Sequence, residues 1–443
     1  MKQSFLSVLS DSGVIRRYEW LGSVPKLNVG SFCGAVDIGD GSYIICIENV
    51  TPQDHGAAME ILKSSGFVST VENAIGDNRY IGFEGQEATL YTSYTPGNRM
   101  LRIYAEPKGA SVLPKAPQRP YETFEGYRPT VWQLTVDWKG SRANGGMSYV
   151  IRVADGRFVI IDGGYPTEKE GDDLVSFLQE HNTHDGKPVV AAWFITHPHE
   201  DHFGAMQAVS RRHADEIKVE AFYYNFPTNG TGYALSPIPR WMKVDMGRFE
   251  GAVRCDKVHT GTTVWVADAK FDILFTHEDL YPLVSNNQND TSLVIRMTLG
   301  GQRVMFLSDI METACKAMTA YLPQEEWRSD IVQFSHHGYE GATREVYDMI
   351  AAPTVLWPMN IYGWQRPDKS NVFERWKAFT GTRLQEMPND YICNEAEYVK
   401  KIFVGGEGLI AITLPYVPQG DKLPDYVAIH DAIATVEEPE NTK

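Results

Sequence analysis

The stretch that decides the fold reads Thr196-His197-Pro198-His199-Glu200-Asp201-His202 and follows the apolar run 189–195. An apolar run of this length is typical of a buried strand, so the polar stretch falls where the strand ends. Alternate residues of an extended segment share a face, which allows His197 and His199 to bind one cation from the same side. Asp201 and His202 lie at the turn into a helix and can reach a second cation.

Imidazole and carboxylate groups in this spacing predict a metal site. They suit Zn, and Mn or Fe(II) would also fit, so we expect one or two ions as the cofactor. A polar loop with hydrogen-bonded histidines is the alternative interpretation, but such a loop has no need for three of the chain's 12 histidines.

The pattern His-x-His-x-Asp-His after an apolar strand resembles the signature of the metallo-β-lactamase superfamily. The resemblance implies an α/β protein with an αββα sandwich, in which the metals lie at one edge between two sheets. Asp162-Gly163-Gly164 ends a strand one strand–helix–strand unit earlier, where the superfamily has an aspartate that supports a metal-binding histidine. Asp-Gly-Gly alone is a common turn, but its position ahead of the histidine motif favours the supporting role for Asp162.

Two segments further along narrow the resemblance to one branch. Asn289-Asp290-Thr291-Ser292-Leu293 leads to a strand that ends at Asp309, and Ser335-His336-His337-Gly338 closes another strand. Together they resemble the hydrolase domain of ComEC-type competence proteins and of related phosphorylcholine esterases. In that family the strand-end aspartate bridges two metals, so the resemblance assigns this role to Asp309. Capping the following helix is the alternative role for Asp309 and is compatible with metal binding.

Adjacent extended residues point to opposite faces, so His336 and His337 are not expected to face one ion together. The resemblance favours His337 as the third histidine of the first site, beside His197 and His199. This leaves His336 as a supporting group or general acid, although the opposite assignment stays open. Asp201 is expected to orient the nucleophile as well as to bind metal.

The chain departs from the ComEC-type pattern at one turn. Where the pattern has Asn-x-Tyr-Gly-His-Pro, this chain reads Asn360-Ile361-Tyr362-Gly363-Trp364-Gln365. Because an indole does not bind metal, the second site is short of one ligand and keeps Asp201, His202 and Asp309. His259 and His277 lie in an intervening region, where a structural role is the expectation for both.

The segment 228–251 is rich in Gly, Pro and aromatic residues and falls between the histidine motif and the strand that follows Asn289 to Leu293. An insertion at this point is well placed to overhang the metals and select substrate. The candidates for substrate binding are Tyr233, Arg240, Trp241 and Trp364. A loop packed by its own aromatic residues is the alternative.

Length and composition set the domain organisation. A chain of 443 residues with 43% hydrophobic content predicts two or three domains. We expect an α+β accessory domain at 1–110 with the element order βαβββ, a Pro-rich linker at 111–121, a hydrolase domain at 122–430 and an acidic tail at 431–443.

Charge and cysteine content suggest location and partners. The five cysteines form no Cys-x-x-Cys pair, and no apolar run is long enough to cross a bilayer, which together favour a cytoplasmic protein that does not contact membranes. Acidic residues (57) exceed basic ones (41), which gives a formal charge of -16. Such a charge repels polyanions at long range, so a small-molecule substrate is predicted and nucleic acid is not.

The predicted function is that of a metal-dependent hydrolase. Attack by a metal-bound hydroxide on a small phosphoester or phosphodiester is the expectation from the family resemblance. A hydrolase of a lactone, thioester or β-lactam would use the same ligands and is one alternative. The other alternative is a binding or scaffold protein with a degenerate metal site, which is suggested by Trp364 at the position of a metal-binding histidine.

Overall fold

The computed structural model describes residues 19–38, 41–110, 120–136, 146–227, 238–282, 285, 287–359, 391–405 and 408–423. The strands in chain order are β1 (Ser31–Asp37), β2 (Tyr43–Glu48), β3 (Val68–Ile75), β4 (Asn78–Glu84), β5 (Ala88–Thr95), β6 (Met100–Pro107), β7 (Thr130–Gln133), β8 (Ser148–Arg152), β9 (Phe158–Asp162), β10 (Val189–Phe194), β11 (Lys218–Val219), β12 (Ala221–Tyr223), β13 (Val253–Cys255), β14 (Thr263–Val266), β15 (Ala269–Phe275), β16 (Val294–Leu299), β17 (Gln302–Phe306), β18 (Ile331–Gln333), β19 (Thr354–Trp357), β20 (Lys401–Val404) and β21 (Ile410–Thr413). The α-helices are α1 (Pro52–Ser64), α2 (Glu168–Glu180), α3 (Glu200–Arg212), α4 (Ile238–Met246), α5 (Glu312–Thr319), α6 (Gln324–Trp327) and α7 (Arg344–Ile350).

Strands β1 to β6 form an antiparallel sheet in the order β1-β2-β6-β5-β4-β3. Helix α1 begins where the sequence predicts, because the Thr51 hydroxyl accepts the Asp54 amide and the Asp54 carboxylate accepts the Thr51 amide. The predicted element order βαβββ omits β1 and β3, which are the two edge strands of this sheet. Strand β3 is exposed along most of its length and β1 is only partly buried, so neither carries the apolar alternation that marks a half-buried strand.

Both faces of this first sheet are covered. Ile45 and Ile103 pack on one face against Leu62 of α1. The opposite face belongs to a core that also contains apolar residues of β15, β17 and α5. The core therefore crosses the predicted linker, of which residues 111–119 lie outside the described residues. The division at residues 111–121 remains our proposal for how the chain is organised.

Aromatic stacking is one part of the contact between the first sheet and the rest of the chain. The His259 ring stacks on both Tyr91 and Tyr104, at centroid distances of 4.6 and 4.7 Å, and the two tyrosine centroids lie 6.0 Å apart. His259 Nδ1 lies 2.8 Å from a Glu278 carboxylate oxygen, and the Tyr91 hydroxyl donates to the Thr260 carbonyl at 2.9 Å. These contacts give His259 the structural role that the sequence suggests.

Arg102 adds a buried charge to the same contact. Its Nη2 donates to the Asp279 carbonyl at 2.7 Å and its Nε donates to the Tyr281 carbonyl at 3.2 Å. Its Nη1 lies 3.9 Å from the Asp279 carboxylate, which is itself buried and accepts the Thr276 amide. A charged residue of β6 thus holds the 3-10 turn His277–Leu280 in place.

The remaining strands form the predicted αββα sandwich. One sheet has the order β13-β12-β10-β9-β8-β7-β21, with β11 also paired to β10, and the other has the order β14-β15-β16-β17-β18-β19-β20. Apolar residues of both sheets, such as Ile161 and Phe306, meet in a core between them. Helices α2 and α3 cover the outer face of the first of these two sheets, and α5 and α7 share the outer face of the other with the N-terminal sheet.

The topology brings the polar stretches together. Strand β10 is parallel to β9, and β18 is parallel to β17, so within each pair the carboxyl ends lie at the same edge. Asp162 ends β9, the histidine motif follows β10, Asp309 follows β17, and His336 with His337 follows β18.

Within the described residues, no helix is both long and apolar enough to cross a membrane.

The C-terminal end of α3 carries an ion-pair cluster. His213 Nδ1 lies 2.6 Å from a Glu216 oxygen, and His213 Nε2 lies 2.7 Å from an Asp172 oxygen. Burial lowers the pKa of His213, but hydrogen bonds to the two carboxylates outweigh this effect and raise the pKa above its usual value. The charged imidazole also interacts favourably with the helix dipole at this end.

Replacing His213 with glutamine should make the free energy of unfolding less dependent on pH. Because the folded-state pKa is raised, the stabilisation from His213 is fully present below the unfolded pKa of about 6.5 and is lost as pH rises through the folded value. The expected loss at pH 6 is less than about 1 kcal/mol, since the carboxylate partners are exposed. Urea unfolding at pH 6 and pH 9 measures it, with H184Q at an exposed histidine as the control. Equal destabilisation by H213Q at both pH values would contradict the prediction.

Candidate metal centre

Buried imidazoles and carboxylates meet at the edge where these strands end. His202 Nε2 lies 3.1 Å from Asp309 Oδ2, and His337 Nε2 lies 3.4 Å from the same oxygen. His337 Nε2 also lies 3.2 Å from Asp201 Oδ2, and His197 Nε2 lies 3.8 Å from Asp309 Oδ2. Two overlapping groups of possible ligands result, in each of which the ligand atoms lie within 4.8 Å of one another: His197, His202 and Asp309, and Asp201, His202 and His337.

The donor set fits a divalent cation. Asp309 Oδ1 and His337 Nε2 are buried, and neither has a hydrogen-bond partner within the described part of the chain. Buried polar atoms are normally hydrogen-bonded. A buried carboxylate oxygen and a nearby buried imidazole nitrogen, both without hydrogen-bond partners, are suitable ligands for a divalent cation. The structure therefore brings together five of the six residues that the sequence suggests as ligands.

His199 is the sixth predicted ligand and lies at the margin of the cluster. It occupies the N-cap position of α3, and its Nδ1 lies 3.0 Å from His197 Nε2. Its side chain is partly exposed, and it belongs to neither of the two ligand groups. A cation between the two nitrogens would reach both imidazoles with a small adjustment of the His199 ring, so its assignment as a ligand stays a proposal.

Asp162 supports His202. Its Oδ2 lies 2.7 Å from His202 Nδ1, which directs His202 Nε2 toward Asp309. The Thr196 amide donates to Asp162 Oδ1 at 2.8 Å, and the Thr196 hydroxyl donates to Asp162 Oδ2 at 2.8 Å. This is the contact that the sequence position of Asp162 suggests, and it fixes the orientation of the His202 ring.

The surroundings of the cluster lower the pKa of one histidine and raise the pKa of two others. Burial and the neighbouring imidazoles hold the pKa of His197 well below its usual value. Burial also lowers the pKa of His202, but the charges of Asp309, Asp162 and Asp201 outweigh this and carry it well above the usual value. In the same way, Asp309 and Asp201 bring the pKa of His337 to about 9. A divalent cation would displace the protons that this excess of carboxylate charge attracts.

The His336-His337 pair follows β18 in an unusual backbone conformation. Both residues are left-handed, with φ of 48° and 56°, rather than extended as the sequence argument assumed. This turn directs His337 into the cluster, where its Nδ1 lies 3.1 Å from the Pro358 carbonyl. His336 lies beside the cluster. Its Nδ1 contacts the Glu340 carbonyl, and its Nε2 lies 3.2 Å from the side-chain amide nitrogen of Asn289. A ring that donates from Nδ1 and accepts at Nε2 is neutral, and this fits a supporting group better than a general acid.

Asp290 performs the capping role that the sequence left open for Asp309. Its Oδ1 accepts the Met311 amide at 3.2 Å and the Ala314 amide at 3.0 Å at the start of α5. The Asp309 amide in turn donates to the Ser292 hydroxyl at 3.3 Å. The Asp309 carboxylate is therefore not needed at the helix terminus and faces the imidazoles.

The predicted substrate-binding residues are placed only in part. Arg240 and Trp241 are exposed on α4, whose buried Met242 packs in the outer helix layer rather than between the sheets. Tyr233 and Trp364 lie outside the described residues. His277 Nε2 lies 3.1 Å from the Asn225 amide oxygen, which gives it a structural contact away from the ligand groups.

Comparison with known proteins agrees with this geometry. Residues 142–356 match the family model described as Metallo-beta-lactamase superfamily. This segment belongs to the metallo-β-lactamase superfamily. Superfamily members are generally metal-dependent hydrolases, and the chain is an enzyme of this kind. The match is to the superfamily as a whole, so the ComEC-type branch stays a prediction.

A search of curated proteins gave no match to the chain. Among solved structures, the crystal structure of human tRNase Z, short form (ELAC1), is 14% identical to this chain; the match covers 51% of this chain and 90% of that chain, with a TM-score of 0.27.

The prediction of a small-molecule substrate rather than nucleic acid is contradicted. The solved structure just described carries the name of a nuclease that acts on tRNA. The physical error is that the net charge of a whole chain averages over its surface, whereas a local groove decides whether a polyanion binds. The formal charge of -16 therefore does not exclude nucleic acid.

Proposed function

We propose that the chain is a zinc-dependent hydrolase of phosphodiester bonds and that its substrate class includes nucleic acids. The observation that supports this is the position of Asp309, whose Oδ2 lies 3.1 to 3.8 Å from three imidazole nitrogens of the two ligand groups. A carboxylate between two cations suits phosphoryl transfer, in which both the attacking and the leaving oxygen need charge stabilisation.

The proposed ligands divide between two ions. His197 and His199 would hold the first ion, and Asp201, His202 and His337, whose ligand atoms lie within 4.8 Å of one another, would hold the second, with Asp309 shared. This moves His337 from the first ion, to which the resemblance assigned it, to the second. Imidazole with carboxylate favours zinc, and Mn or Fe(II) would fit the same groups. When bound, divalent ions supply a water nucleophile at neutral pH and stabilise negative charge on phosphoryl oxygens.

The protein contributes orientation and shielding. Asp201 Oδ2 faces the centre of the cluster, where it can accept a hydrogen bond from the attacking water and align it. Asp162 holds the His202 ring from behind, and His336 anchors the turn that carries His337. The ligand residues other than His199 are buried, which strengthens the electrostatic interactions among them. We also propose a cytoplasmic location, which the odd number and wide spacing of the five cysteines support.

Metal analysis and a substrate panel together test this proposal. Protein purified without added metal should contain close to two equivalents of zinc and should hydrolyse bis(p-nitrophenyl) phosphate as a phosphodiester probe. Structured RNA should be cleaved as well, whereas nitrocefin and a thioester should not be. Treatment with a chelator should lower the rate by several orders of magnitude, and added zinc should restore it. Protein without metal, or cleavage of the carboxylic substrates alone, would overturn the proposal.

A further inference from the structure

Ser308 lies between β17 and Asp309 and makes hydrogen bonds from every polar atom it has. Its φ of 51° is in the left-handed region, which is unfavourable for a residue with a side chain. Its carbonyl accepts the His336 amide at 3.0 Å, and its hydroxyl lies 2.7 Å from the Thr196 hydroxyl. The turn at Ser308 sets the direction in which the next residue, Asp309, leaves the strand.

Gln333 holds the peptide groups of Ser308 on both sides. The Ser308 amide donates to Gln333 Oε1 at 2.7 Å, and Gln333 Nε2 donates to the Ser308 carbonyl at 3.2 Å. Gln333 Nε2 also donates to the Phe334 carbonyl, so both amide hydrogens are used. The side chain is fully buried. A polar residue with complete hydrogen bonding at this depth fixes one local conformation.

The Ser308 hydroxyl also fixes the tautomer of His197. The Thr196 hydroxyl has one hydrogen, and it donates this to the Asp162 carboxylate, which can only accept. The Ser308 hydroxyl must therefore donate to Thr196, and both hydroxyl oxygens are left to accept from His197 Nδ1, which lies 3.3 Å from each of them. A proton on Nδ1 leaves the Nε2 lone pair of His197 free for a metal ion.

We infer that Gln333 and Ser308 are positioning residues that together set the direction of the Asp309 carboxylate and the tautomer of His197, and thereby determine how tightly the cations bind. This inference rests on the proposed metal centre. Gln333 lies in one sheet and holds Ser308 in its left-handed conformation. Ser308 hydrogen-bonds Thr196, which follows a strand of the other sheet, and Thr196 hydrogen-bonds Asp162. Neither residue contacts the substrate or the cations in this role. They act through the ligands, as hydrogen-bonding partners of metal ligands generally do.

Replacing Gln333 with methionine tests the inference, because methionine has a similar length and no hydrogen-bonding amide. The dissociation constants of Zn²⁺ and Co²⁺ are measured by competition with a chromophoric chelator, using the full chain. We expect Q333M to weaken binding by about 10- to 100-fold. The visible absorption of the Co²⁺-loaded protein should also change, since the geometry around the ion depends on where Asp309 points.

Gln302 provides a matched control. Its Nε2 donates to the Tyr416 carbonyl at 2.9 Å and its Oε1 accepts the Tyr416 amide at 2.6 Å, which is the same two-bond contact with a peptide group. It begins β17, at the opposite end of the strand from Asp309. We expect Q302M to leave the metal affinity and the Co²⁺ spectrum unchanged.

A second variant covers the case in which Q333M does not fold. Q333N keeps the amide but is one methylene shorter, so it cannot reach both atoms of Ser308 and should also weaken metal binding. Folded Gln333 variants with wild-type affinity and spectrum would overturn the inference, and so would a Q302M variant that loses as much affinity as Q333M. Failure of the wild-type chain to bind Zn²⁺ or Co²⁺ would instead overturn the proposed function on which the inference rests.

Discussion

Replacing Asp309 with asparagine is expected to lower the rate of phosphodiester hydrolysis by about a thousandfold or more. The amide keeps the shape of the carboxylate but has no negative charge to offset two cations and only one oxygen to offer them. Loss of several kcal/mol of transition-state stabilisation corresponds to a change of this size. The zinc content should fall from close to two equivalents to one or fewer. Steady-state kinetics with bis(p-nitrophenyl) phosphate and elemental analysis of the same preparation measure both effects.

Asp268 provides the control for this substitution. Its carboxylate accepts the Tyr127 hydroxyl at 2.7 Å and the Ala154 amide at 2.8 Å. Ala154 precedes β9, whereas Asp162 at the other end of β9 contacts the cluster. D268N should therefore retain zinc and activity even if it is slightly destabilised. Full activity and two zinc ions in a folded D309N variant would show that Asp309 is not the bridging residue.

Replacing Arg102 with methionine is expected to lower the free energy of unfolding by about 3 kcal/mol or more. The substitution removes the hydrogen bonds to the carbonyls of Asp279 and Tyr281 and leaves the Asp279 carboxylate buried without its cation. Burial already raises the pKa of Asp279 and Arg102 opposes this, so the variant should also take up a proton at this site more readily. Urea unfolding followed by circular dichroism gives the loss of stability.

Arg212 is the matched control, because it pairs with Glu168 and Asp172 at an exposed surface. R212M should cost less than about 1 kcal/mol. If R102M and R212M prove equally mild, the contact between the first sheet and the sandwich does not depend on the buried charge.

The sequence was most informative where local pattern and chemistry coincide. The apolar run before Thr196, the capping box at Thr51 and the histidine motif each have a short-range physical cause, and the structure has the corresponding strand and helices. Strands β1 and β3 were missed because an exposed edge strand lacks the alternation that burial imposes.

The supporting residues of the metal centre depend on long-range pairing. Gln333 stands next to Ser308 only because β18 pairs in parallel with β17, and Ser308 meets Thr196 only because the two sheets face each other. One signal was available in the sequence, since a glutamine that ends the apolar run Ile331-Val332 is unusual in a buried strand. The error over the substrate had another cause, because composition reports the total charge and not where the charge lies.

The stacking of His259 on Tyr91 and Tyr104 has a consequence for how this chain can diverge from its relatives. The tyrosines belong to the first sheet and the histidine to the superfamily fold, so a change on one side leaves an unmatched surface on the other. A descendant that lost the first sheet would expose an aromatic and charged face in water, and would persist only with compensating substitutions around residues 259–281. We therefore expect substitutions at Tyr91 or Tyr104 to be accompanied by changes at His259.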